Sequence, residues 1–133
     1  MITIRKTLRG NEQAKLLMSV PGIGEVLSYL ILYEVGDISR FSSDKKFAGY
    51  CSLVPSTRQS AEHTYHGKTG RRGNLYLKWA FVEAAHRAVK KDPRLGTWHA
   101  KLSRRRGKGK ATLAVARKLS VAVFHILQNG LVF

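Results

Sequence analysis

Residues 21–24 read Pro-Gly-Ile-Gly between two apolar runs, and neither a helix nor a strand passes through such a sequence unbroken. Proline removes a backbone donor and fixes φ, while glycine loosens the chain where a regular element needs it held. The flanks are periodic. Upstream, "NEQAKLLMSV" spaces Ala14, Leu17, Met18 and Val20 as on one helix face, with Asn11 as N-cap. Downstream, "EVLSYLILYEV" repeats the spacing with Val26, Leu27, Leu30, Ile31 and Val35, and Gly36 is placed to end the helix. The chain is expected to open with two short helices joined by a glycine hairpin, about residues 11–36.

The rest extends this pattern. Ser42 or Ser43 caps a third short helix running into Cys51, and residues 54–73 lose all periodicity in a polar, basic, glycine-punctuated stretch expected to be an extended loop. From Asn74, "NLYLKWAFVEAAHRAVKK" reads as a strong helix with Leu75, Trp79, Val82 and Ala85 or His86 on its apolar side. Asp92 and Pro93 mark the N-cap and first position of the next helix. A last helix, about Lys110 to Asn129, carries Leu113, Ala116, Leu119, Val123 and Leu127 on one side and stops at Gly130. With no internal repeat or long linker, the expected fold is mainly α. It is a single compact helical domain over 1–133, with an N-terminal helix-hairpin-helix, a basic loop at 54–73 and C-terminal helices over 74–130.

Charge narrows the function classes. The 24 Lys+Arg against 8 Asp+Glu give +16, for which a polyanion is the economical partner. Residues 1–53 hold seven basic and five acidic side chains, and residues 54–133 hold seventeen and three. No uninterrupted apolar stretch reaches about eighteen residues and the N-terminus has no export signal, so no membrane partner is expected and the location is expected to be cytoplasmic. The single cysteine, Cys51, lies in an apolar context and reads as a buried small residue.

Three stretches carry chemistry. The Pro21–Gly24 turn resembles the heart of a helix-hairpin-helix, in which backbone amides around Gly22, Ile23 and Gly24 face a phosphate; the plainer reading is an αα-corner with Ile23 pinning the two helices. In "RQSAEHTYHGKTGRRGN", Arg58, Lys68, Arg71 and Arg72 surround Ser60, as phosphoryl transfer to a hydroxyl would require, although Ser60 needs a base or a metal to act. His63 and His66 read as loop residues, and no ligand spacing points to a metal site. In "KLSRRRGKGKAT", a run between two helices, Arg104, Arg105, Arg106, Lys108 and Lys110 have no acid among them and read as a nucleic-acid contact. Trp79 and Trp98 read as core residues rather than stacking platforms.

In combination, Pro21-Gly22-Ile23-Gly24, Glu34-Val35-Gly36-Asp37-Ile38 with Arg40-Phe41, Leu53-Val54-Pro55 and Arg72-Gly73-Asn74 resemble the C-terminal transposase domain of the DEDD-type insertion-sequence transposases, the bridge-RNA-guided recombinases. The resemblance covers nearly the whole chain. It implies a DNA-binding domain whose serine, at the position of Ser60, links covalently to DNA during transposition, with DNA as partner, structured guide RNA as a second, and a homo-oligomer in the full-length context. Here Gln59 and Ala61 flank Ser60, where the family has glycine after the serine and often another serine before it. The family's divalent metal, magnesium, belongs to a separate acidic domain. The eight Asp+Glu here show no clustering that replaces it, so no cofactor is expected in this chain. The alternative is a non-enzymatic binder of structured RNA or branched DNA, or a truncated transposase remnant.

Overall fold

A computed structural model of the chain describes residues 12–54 and 73–133. Six α-helices and one 3-10 turn are described, with no strand among the described residues: α1 over 12–17, α2 at Glu25–Val35, the turn at Ile38–Arg40, α3 at Asp44–Tyr50, α4 at Leu75–Lys91, α5 at Pro93–Arg106 and α6 at Lys108–Asn129. The mainly helical reading is therefore correct.

The helix ends follow from local chemistry. Ser43 accepts from the Lys46 amide, Asn74 from Leu77 and Asp92 from Arg94, each satisfying an amide the helix leaves open. Pro93 occupies the first turn of α5, while Gly36 and Gly130 close α2 and α6. The first helix is shorter than expected, and residues 18–22 turn back on themselves through Ser19 N–H to Leu16 O and Val20 N–H to Leu17 O.

Helix α6 is the hub, packing against α3, α4, α5 and the 3-10 turn, whereas α2 packs on α4. Its 22 residues are long and apolar enough to cross a membrane, yet half of its most apolar stretch is buried inside this fold. Phe47 of α3 sits fully buried at the meeting point, its ring 5.1 Å from Phe41, 6.2 Å from Phe81 and 6.1 Å from Phe124.

Helix α4 corrects the sequence reading. Its buried face is Leu77, Ala80, Phe81, Ala84, Ala85 and Ala88; Leu75 and Trp79 point outward, with Trp79 54% exposed. Four small side chains let neighbouring backbones come close. Gly22, at φ 89°, uses that room: a Cβ there would collide with the Ala84 carbonyl oxygen. Ile23 is 4% exposed in the same core. The hairpin turn thus packs inward, and two of the three residues expected to meet phosphate, Gly22 and Ile23, are buried. Gly24, the N-cap of α2, keeps partial solvent access beside the acidic Glu25.

Asn74 joins three elements. Its amide nitrogen donates to Glu34 Oε1 of α2 at 2.8 Å and to the Tyr50 hydroxyl at 3.4 Å, its carbonyl caps Leu77, and its backbone N–H donates to Tyr50 O at 2.6 Å. Arg40 stacks its guanidinium over Phe41 and Tyr50, 4.8 and 5.0 Å from their centroids. Hydrogen bonding from Asn74, then from Arg40, holds the Tyr50 phenol below its ordinary range. Asp37 caps the 3-10 turn by accepting from the Ser39 amide and hydroxyl, which lowers its carboxyl pKa. The motif residues Glu34, Asp37, Arg40, Phe41 and Asn74 therefore knit the fold together.

Candidate nucleic-acid interface

The charge imbalance of the sequence becomes spatial in the fold. Helices α5 and α6 together carry Arg94, Lys101, Arg104, Arg105, Arg106, Lys108, Lys110, Arg117 and Lys118 and not one Asp or Glu. The described acids run from Glu12 to Asp92, none within α5 or α6, and the last, Asp92, caps α5.

The run expected between two helices is itself helical. Arg104, Arg105 and Arg106 form the last turn of α5, Gly107 alone makes the corner, and Lys108 and Lys110 lie in the first turn of α6. All five cations are exposed. The two turns differ electrostatically. Arginines at the end of α5 oppose its partial negative charge, whereas lysines at the start of α6 add to the partial positive charge of its open amides. Gly107 supplies no side-chain cap there. Without a counter-anion this end of α6 is self-repelling, and an anion placed there would relieve it. Behind the corner, His99 Nε2 and Thr112 Oγ1 lie 3.0 Å apart in a hydrogen bond that ties α5 to α6 and fixes the corner's shape.

Ser60, Arg58, Lys68, Arg71 and Arg72 lie outside the described residues, as do His63 and His66. The segment's two attachment points are described and adjoin: a Cβ on Gly73 would strike the Ser52 hydroxyl, and Asn74 is bonded to Tyr50. Cys51 is fully buried, and burial pushes its thiol up to about 12, so no thiolate forms there near neutral pH. Among the described residues no three His, Cys, Asp or Glu come together as metal ligands.

Sequence reasoning missed one feature. Trp98 is half-buried and faces Lys118, whose ammonium lies 5.2 Å from the ring centroid, in a groove between α3, α5 and α6. Its parts are far apart in sequence, and only the hub position of α6 brings them together.

The profile of the Transposase IS116/IS110/IS902 family matches residues 14–100. The IS116 uncharacterized 44.8 kDa protein of Streptomyces clavuligerus is 28% identical over 98% of this chain and 33% of its own length. The IS110 uncharacterized 43.6 kDa protein of Streptomyces coelicolor is 30% identical over 96% of the chain and 32% of its own length. The transposase for insertion sequence element IS1111A of Coxiella burnetii is 27% identical over 93% and 35%. The chain thus spans about a third of the length of these relatives.

Proposed function

The chain belongs to the Transposase IS116/IS110/IS902 family, and on that premise we propose that it is the DNA-gripping part of an insertion-sequence transposase. The observation that carries this reading is the α5–α6 corner, where five exposed cations converge with no acid on either helix. Cations so placed hold the phosphate backbone and set register without reading bases. In the same proposal Ser60 is the nucleophile. Its Oγ bonds to the scissile phosphorus as the bond to a sugar oxygen breaks. The serine proton goes to a base of the longer protein and the departing oxygen leaves as a hydroxyl protonated from solvent, while Arg58, Lys68, Arg71 and Arg72 neutralise the charge that develops on the nonbridging oxygens. The DEDD-type arrangement, the guide RNA, the magnesium-binding acidic domain and the oligomer are the finer parts of the proposal and concern the longer protein.

Binding of the purified chain to duplex DNA, a four-way junction and a structured RNA, each across a salt series, tests the corner. Converting Arg104, Arg105 and Arg106 together to Gln should lower the slope of log K against log salt by about 3, roughly one per lost phosphate contact. An unchanged slope would remove the corner from the interface. For Ser60, a covalent protein–DNA adduct formed by the full-length transposase should vanish in Ser60→Ala, and an adduct that survives the change sinks that role.

A further inference from the structure

The groove beside Trp98 shares no lining residue with the corner. It is an open groove of about 520 Å³, lined by Asp44 and Lys45 of α3, Val54, Trp98 of α5, and Arg117 and Lys118 of α6. Ala48 and Ala114 lie along the same walls, and their missing side-chain volume leaves the space open. The volume falls within the ~300–1,000 Å³ of small-ligand sites.

We infer that this groove takes one unpaired nucleobase with its flanking phosphate, the base stacked on Trp98 and the phosphate held by Lys45, Arg117 and Lys118. The inference rests on the transposase reading for its ligand class, and the groove chemistry narrows that class. Three cations face one acid across the lining, and Asp44 is engaged elsewhere: its carboxylate lies 3.1 Å from His125 Nε2 and sits in the first turn of α3, whose amide end it complements. Trp98 is partly exposed and its ring face carries the Lys118 ammonium. An indole beside cations, once that face is vacated, offers what a single strand needs, because every base has a π-face and every link a phosphate. A duplex cannot use it, since its bases are stacked and paired. Lys118 now rests on the ring, and on binding it exchanges the indole face for the phosphate.

Trp79→Phe leaves Trp98 as the chain's single indole and gives a direct readout. In that background, titration with a short oligothymidylate should quench Trp98 fluorescence saturably, and a blunt duplex should not; an oligouridylate arm tells whether RNA serves as well as DNA. By anisotropy of a labelled oligothymidylate, Trp98→Ala should weaken binding roughly tenfold and Trp98→Phe less, since a ring remains. Because Trp98 also touches the core, exposed Lys118→Gln and Lys45→Gln provide the second test, each expected to weaken oligonucleotide binding several-fold without loss of fold. Equal quenching by the duplex, or oligonucleotide affinity unmoved in both lysine variants, overturns the groove. The two readings fail separately. If Arg104, Arg105 and Arg106 prove irrelevant to duplex binding while the Trp98 quench persists, the corner falls and the groove stands, and the reverse pattern removes the groove alone.

Discussion

Gly22 and Gly107 turn the chain at nearly the same φ, 89° and 96°, and each joins two helices, but their surroundings are opposite. Gly22 lies against α4, where a Cβ would meet the Ala84 carbonyl oxygen; around Gly107 a Cβ would meet nothing within 4 Å. The first turn is used up by the fold. The second is held from behind by His99 and Thr112 and presents cations on both sides to solvent. A glycine turn in a basic protein therefore does not announce a phosphate site, and what packs on it decides.

That contrast can be broken by mutation. The largest effect is expected for Gly22→Ala, which adds left-handed strain to a collision with backbone that cannot move aside. Unfolding by urea should show a loss of about 2–5 kcal/mol. Alkaline pH probes the same packed region through Cys51. Its pKa is about 12 in the fold against 9.0 for the free thiol, so the unfolded chain loses the proton first. Stability is fully present below about 9 and drains away as pH rises toward about 12, by an amount on the order of a few kcal/mol. Cys51→Ala should flatten that part of the pH profile. Gly107→Ala meets no obstacle and should cost backbone strain alone, about 1–3 kcal/mol at φ 96°, ψ 153°. If it proves as damaging as Gly22→Ala, the two turns are not different in kind. Asn74→Ala removes a cap and the tie to Glu34, and thermal or urea unfolding should register about 1–2 kcal/mol. The smallest change in stability, within about 0.5 kcal/mol, is expected when Arg104, Arg105 and Arg106 all become Gln, although the same variant should show the altered salt slope.

Much of the helical layout was legible because its signals are local. Ser43, Asn74, Asp92 with Pro93, Gly36 and Gly130 all cap where capping chemistry places them. The face of α4 was not. Leu75, Trp79 and Val82 keep helical spacing but lie on or toward the outer side, and the true core stripe is mostly alanine, whose small side chains give little hydropathy contrast. Trp79, expected in the core, lies on the outer side and is exposed. The basic run was expected between two helices, whereas it forms the end of one and the start of the next, since glycine at 107 interrupts helix for one residue only. The groove at Trp98 could not be read in advance, as Lys45, Trp98 and Lys118 share no local pattern.

The joint at Tyr50, Ser52, Gly73 and Asn74 has a consequence for how such a chain can change over time. Because Asn74 is bonded to Tyr50 and Gly73 lies against Ser52, the two ends of any insert between Val54 and Gly73 are brought together by the fold itself. Doubling the length of such an insert adds only about 0.6 kcal/mol of closure entropy when it is flexible. A change of length between those ends would therefore be felt by the scaffold mainly through Ser52, Gly73 and Asn74, which hold them together.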